Sequence, residues 1–300
     1  MLCRLHVDAM FVIARHYGQL GNRLLLYAHF IAAARHYGVP VWNPSFAEYA
    51  EYFPSTRQDL LCRFPKSSSS LATPSLWQRQ WLQRAVYLPT RAAAHVRLNR
   101  FPFHVIRLKG DQQCDLTSDQ VADRVRTGRP ILCQGWLFRS LDWFLRYRDD
   151  TCRHLQPLDV HQHAVQQTMQ KARDASDVVV GVHIRQGDYK DFLGGKYFYT
   201  TTLYRRWMDQ IAQHLGTASV RFLICSNGEV DWQQFAGLSV QPGPGHLVQD
   251  LYSLAQCDLI IGPPSTFTLW AAYYGDVPRI ELSRRDQTID ELPLRRAEAA

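Results

Sequence analysis

The residues best suited to chemistry stand in one stretch, where His183 lies near the carboxyl end of the β-branched run Val178 to Ile184 and Arg185, Gln186, Gly187 and Asp188 directly follow it. A guanidinium offers a planar fork of donors that fits a phosphate. Gly187 and the pair Gly194-Gly195 let the chain turn sharply away afterwards. A second set, Ser265 and Thr266, follows the apolar run Asp258-Leu-Ile-Ile-Gly262 and two prolines. Hydroxyls and backbone N–H groups at a helix start also suit an anion. Together they imply an anion site, most simply for a nucleotide pyrophosphate. Each set has a plainer alternative: Arg185 pairs with Asp188 at a sheet edge, and Ser265 is an ordinary helix cap.

The elements that must position these groups can be read around them. Val178 to Ile184 reads as a buried strand of a parallel sheet. In open α/β sheets, ligands bind beyond the carboxyl ends of the strands. Val220 to Cys225 is a second buried strand, ending in Ser226-Asn227-Gly228, with Asn227 beside the same crevice. Leu203, Trp207, Ile211 and Leu215 share one face of a helix between the two. Trp232 to Pro244 is a variable-looking segment rich in Gly and Pro. A short helix follows at Asp250 to Cys257, then the strand Asp258 to Gly262 and a helix from Ser265. A helix from Val160 to Arg173 precedes the whole set.

The first half repeats the alternation. Met10 to Ala14 reads as a strand, Arg15 to Asn22 as a glycine loop, and Arg23 to His36 as a helix. Leu24, Tyr27, Ala28 and Ile31 give that helix one apolar face, and Gly38 ends it. Val39 to Trp42 is a strand, Phe46 to Phe53 an aromatic segment, and Lys66 to Pro74 a loop with serines from 67 to 70. Leu76 to Leu88 is helical, its Trp77, Trp81, Ala85 and Leu88 reading as a core or interdomain face. Arg91 to Lys109 is poorly periodic, with a strand at Phe103 to Leu108. Pro130 to Gly135 is a strand, and the aromatics from Trp136 to Phe144 read as a cluster packing two domains. Pro157 marks the connection, dividing the chain into domains 1–157 and 158–300.

Composition narrows the class. A length of 300 residues fits two domains with full cores. No run of about 18 apolar residues occurs, so no membrane-spanning helix is expected. Arg4, His6, Asp8 and Arg15 interrupt the start, which predicts no leader peptide. Seven scattered cysteines without a Cys-x-x-Cys pair predict reduced thiols and a cytoplasmic location. The net charge of +7 fits anionic ligands. Between Leu60 and Gly110 there is no Asp or Glu, while Arg63, Lys66, Arg79, Arg84, Arg91, Arg97, Arg100, Arg107 and Lys109 lie there. Such a stretch suits a solvated basic face, peripheral contact with an anionic membrane, a lipid-pyrophosphate acceptor or nucleic acid.

The run His183-Ile-Arg185-Gln-Gly-Asp188-Tyr189 resembles the His-x-Arg-Arg-x-Asp signature of transferases that use GDP-fucose, and is most similar to the α-1,2-fucosyltransferases of glycosyltransferase family 11. Gln186 stands where that pattern carries a second Arg. Gly18-Gln-Leu-Gly21-Asn22 with Tyr27-Ala28 resembles the family's N-terminal loop. Gly135 to Phe144 resembles, with one residue more, the family's Gly-Tyr-x-Gln-Ser-x-x-Tyr-Phe segment. Asp250-x6-Cys-Asp-x-x-Ile-x-x-x-Ser-Thr-Phe-Thr-x-Trp-Ala-Ala resembles its C-terminal signature. Four motifs in the family's order span residues 18 to 272.

The resemblance implies a GT-B fold, two Rossmann-like α/β domains facing a central cleft, with the acceptor mainly on the N-terminal side. It implies inverting transfer of L-fucose from GDP-fucose to a glycan or lipid-linked oligosaccharide, with galactoside α-1,2 linkage. By the motifs, Gly21, Asn22, His183, Arg185, Asn227, Asp250, Ser265, Thr266 and Phe267 would hold GDP-fucose. Arg185 would face the departing pyrophosphate, Asp191 and His16 are the candidate bases, and Asp188 is a structural partner of Arg185. No Asp-x-Asp pair sits in a strand-end loop, so no metal is expected. Two readings compete: a GT-B transferase of α-1,6 linkage or another nucleotide sugar, and a non-catalytic polyanion-binding protein. No nucleic-acid partner is expected.

Overall fold

The computed structural model describes residues 9–66, 72–96, 102–216 and 218–291. The serines from 67 to 70, Arg97, Arg100 and Cys3 lie outside them. Two compact units divide the chain, Met1–Leu158 and Asp159–Ala300.

The N-terminal unit carries β1 (Phe11–Ile13), α1 (Leu20–Tyr37), β2 (Val41–Trp42), β3 (Arg63–Phe64), α2 (Leu76–Val96), β4 (His104–Arg107), β5 (Cys114–Asp115), α3 (Asp119–Arg126), β6 (Ile131–Gln134), β7 (Phe138–Arg139), α4 (Leu141–Arg146) and α5 (Arg148–His154). Its main sheet runs β3-β2-β1-β6-β4, with β2, β1, β6 and β4 parallel and β3 antiparallel at the edge. The apolar face expected on α1 is in fact burial all round. From Leu20 to Ala34 every residue except Asn22 is buried, because β1 and β2 cover one side and α4, α5 and β7 the other. Gly38 ends the helix in the left-handed conformation, φ 68°.

Helix α2 departs from its expected role. It runs on through Pro89 to Val96, over residues read as aperiodic. Trp77 and Trp81 are 68% and 60% exposed, not core. The helix docks instead through a cation: buried Arg79 donates to the carbonyls of Asp59 at 2.7 Å, Arg57 at 2.6 Å and Thr56 at 3.1 Å. With Arg63 paired to Asp59 at 2.9 Å, part of the basic run is structural and not a solvated face. The aromatics after β6 also find a local use. Trp143 stacks on His36 (3.8 Å between centroids) and Phe144 on His29 (4.3 Å), so the segment packs on α1 of its own unit.

The C-terminal unit carries α6 (Asp159–Arg173), β8 (Val178–Ile184), α7 (Thr201–Leu215), β9 (Val220–Ser226), β10 (Val240–Pro242), α8 (Leu247–Leu254), β11 (Leu259–Gly262), α9 (Thr266–Gly275) and β12 (Arg279–Glu281). All five strands are parallel, in the order β10-β9-β8-β11-β12. Val180, Val182 and Ile184 of β8 join Trp207, Met208 and Ile211 of α7 in one fully buried cluster. Burying such side chains contributes about 1.5–3 kcal/mol each. Edge strands β10 and β12 went unread in the sequence. Each has three residues, a Pro or charges, and pairs with a longer strand that supplies the register.

Among the described residues no helix is long and apolar enough to cross a membrane, and no group of three His, Cys, Asp or Glu could hold a metal. The six described cysteines are free thiols.

Candidate functional site

In the order β10-β9-β8-β11-β12 the chain leaves β8 toward β9 and returns to β11 on its other side. The order reverses between β8 and β11, which is where open α/β sheets form a ligand crevice. Arg185 stands at the carboxyl end of β8, and Pro264-Ser265 just beyond that of β11.

One side chain joins the two ends. The Tyr189 hydroxyl donates to the Pro264 carbonyl at 2.6 Å, and its buried ring lies under the Arg185 guanidinium, 4.7 Å from centroid to Cζ. Phe192 stacks on the same ring at 5.2 Å. The cation is therefore seated on a ring tied to the loop that opens α9. There Ser265 caps the helix, its Oγ accepting from Phe267 N at 3.2 Å, while the Thr268 hydroxyl donates to the Ser265 carbonyl at 3.0 Å. Thr266 is the first residue of α9 and half-buried. A guanidinium and a helix N-terminus at one crevice make a place for phosphate.

His183 and Phe267 meet face to face beside this crevice, 4.9 Å between centroids, both buried. Asn227 acts on the loop: its Oδ1 accepts from Gln186 N at 2.9 Å and Gly187 N at 3.3 Å, fixing the turn after β8. Asp191 is exposed at the start of the turn Phe192–Gly195. Asp188 begins the turn Asp188–Lys190, and its expected pairing with Arg185 lies outside the described side chains.

A cavity of about 190 Å³ opens beyond the carboxyl ends of β9 and β10, lined by Ser226, Gly228, Trp232, Gly243 and Asp250. Asp250 is only 8% exposed, and its Oδ1 accepts from Gly245 N at 2.9 Å. Burial pushes its carboxyl up to about 6, against the pull of that N–H. Gly243 is needed here, because a Cβ would come within 2.8 Å of Asp250 Oδ1 and 2.7 Å of Cys225 Sγ. The result is a buried carboxylate with acceptor capacity facing a small cavity.

In the N-terminal unit, Gly21 and Asn22 lie in the first turn of α1 and not in the loop before it. The Asn22 side chain folds over Gly18, whose φ of +58° bends that loop. Buried Arg23 braces the loop, donating to the Gly18 carbonyl at 3.2 Å and to Glu48 at 2.7 Å. His16 is exposed on the loop, and its imidazole is held below the ordinary range by partial burial and then by Arg23. Tyr189, Gly243 and Arg23 went unassigned in the sequence. Only Tyr189 carried a signal, as an aromatic four residues after the phosphate-suited Arg.

The sequence profile of Glycosyl transferase family 11 matches residues 136–293. No curated protein sequence matches the chain. Among solved structures, a variant of Arabidopsis thaliana FUT1 in complex with GDP superposes with a TM-score of 0.61 at 12% identity, covering 93% of this chain and 71% of that one. Fucosyltransferase NodZ from Bradyrhizobium gives 0.53 at 17% identity, covering 92% and 96%. NodZ alpha-1,6-fucosyltransferase co-crystallised with GDP gives 0.51 at 18% identity, covering 90% and 94%. The likeness is one of fold, the α/β architecture of GT-B type.

Proposed function

The chain belongs to glycosyltransferase family 11, and from that premise we propose that it transfers L-fucose from GDP-fucose to a hydroxyl of a glycan, with inversion. The galactoside 2-hydroxyl is the acceptor position implied by the family motifs. The observation that carries the donor reading is the Tyr189–Pro264 bond, which holds Arg185 and the α9 N-terminus at one crevice.

In this reading Arg185 and the Ser265–Thr266 helix start hold the diphosphate. The acceptor oxygen forms its bond to the anomeric carbon as the bond from that carbon to the β-phosphate oxygen breaks, and GDP leaves with the electron pair. Negative charge grows on the leaving oxygen. Preorganised donors aimed at it favour the transition state over the ground state. Fixed charge and dipole take the part a divalent cation plays in metal-dependent transferases. The acceptor proton passes to His16 or Asp191 as proposed bases. A lowered imidazole pKa keeps His16 neutral and able to accept it. His183, Phe267 and Asn227 support the site by packing and by holding the loop, and Gly21 and Asn22 are assigned to the donor by their family motif alone.

Asp250 supports the base assignment. Guanine presents N1–H and a 2-amino group on one edge, a donor pair that one carboxylate can accept. Adenine and uracil lack that pair. GDP should therefore raise the thermal stability of the protein well above the shift from UDP, ADP or CMP, since a ligand that binds only the folded state stabilises it. Equal shifts from all four nucleotides would reject the guanosine assignment.

A further inference from the structure

The N-terminal unit has a crevice of its own. A cavity of about 380 Å³ opens at the carboxyl ends of β1, β4 and β6, lined by Arg15, Tyr17, Arg107, Lys109, Gln134 and Trp136 among others. Three of its lining residues are cations and none is an acid. Arg15 lies over two rings, its Cζ 5.1 Å from the Tyr17 centroid and 5.8 Å from that of Tyr87. Gln134 ends β6 and is 3% exposed, yet its Nε2 has no hydrogen-bond partner. A buried amide N–H left unmatched is costly, and this one belongs to a residue of the cavity wall. Cations, an unmatched donor and two aromatic rings describe a site for an oxyanion attached to a sugar: rings pack on the sugar face and donors take the charge.

We propose that this cavity is an acceptor subsite for a glycan carrying a phosphate or pyrophosphate ester. The inference rests on the transferase reading above for its biological sense, though the cavity's anion preference stands on its own residues. A lining with three cations and no acid favours a phosphorylated group, which carries more negative charge and more acceptor oxygens than a lone carboxylate. This also gives Arg107 and Lys109, the end of the acid-free stretch, a local purpose.

The test is equilibrium binding of galactose 1-phosphate and of a galactosyl pyrophosphoryl short-chain polyprenol, each against methyl galactoside, with GDP saturating. Galactose 1-phosphate should bind at least about tenfold tighter than the neutral sugar, from charge-assisted hydrogen bonds. The double variant Arg107→Gln, Lys109→Gln should abolish that preference while leaving the thermal shift by GDP intact. A further gain confined to the polyprenyl compound assigns the subsite to lipid-linked acceptors; equal affinity for both phosphorylated sugars assigns it to soluble ones. Equal binding of charged and neutral sugars would overturn the proposal. So would a preference that survives the double variant and disappears in Arg185→Gln, which would put the phosphate in the donor crevice. Failure of the donor reading shows separately, as absence of any GDP shift in the unmodified protein.

Discussion

Replacing Asp250 by Asn should make the protein more stable at neutral pH while weakening GDP binding. The side chain sits 8% exposed beside the cavity beyond β9 and β10, with one backbone donor from Gly245. Its carboxyl is raised from 3.8 to about 6, chiefly by burial. Each unit is worth about 1.4 kcal/mol, so the ionised form costs the folded protein about 3 kcal/mol at most. The folded state holds this proton more tightly than the unfolded chain. Stability from this group is fully present below pH 3.8, falls as pH rises, and is lost above about 6. Asn keeps the oxygen that accepts from Gly245 and carries no charge. Chemical unfolding of both proteins should therefore give similar stability near pH 4 and a gain of about 2–3 kcal/mol for the variant near pH 7.5. Comparing the two chains cancels the opposite acid sensitivity of His29 and His154, both lowered to about 3 by burial. GDP affinity should fall roughly 100-fold, since a charged acceptor is lost and an amide donor faces guanine donors. A variant less stable than the parent at neutral pH, or a gain of the same size at both pH values, would refute the burial argument. Unchanged GDP affinity would refute the role.

Two further outcomes test the phosphate chemistry. Arg185→Lys keeps the charge but loses the two-pronged geometry and the seat on Tyr189, so kcat should drop roughly 100-fold or more with little change in KM. Gln186→Ala, which keeps the backbone N–H that Asn227 accepts, should cost far less; comparable losses in the two would mean the wrong side chain holds the phosphate. Transfer should also persist in excess EDTA, and activity lost there but restored by Mn²⁺ would show that a cation, not Arg185 and the α9 terminus, balances the leaving group.

Much of the C-terminal unit could be read locally. A strand buried on both faces needs a β-branched run, and β8 spans Val178–Ile184 as that run does. The helix over Thr201–Leu215 follows its apolar period, and Ser265 caps α9 as its type predicts. Where the local signal was weak, assignment failed. β10 and β12 exist because long neighbours pair with them. The Trp77 and Trp81 stripe has the spacing of a core face but lies exposed, because the buried Arg79 decides which side of α2 docks.

By itself, then, the order of residues determined the type of elements, the anion-suited Arg185 and Ser265, and the family to which they belong. These depend on short-range rules: side-chain period, rotamer stiffness, capping and the chemistry of single groups. Tertiary structure alone decided how they combine. The Tyr189–Pro264 bond joins residues 75 apart, and Asn227 reaches back 41 residues to hold Gln186. It also turned Asp250 into a buried acceptor and brought Arg15, Arg107 and Gln134 to one cavity. Such relations follow from strand order and burial, which arise when distant segments pair, and no local stretch of chain encodes them.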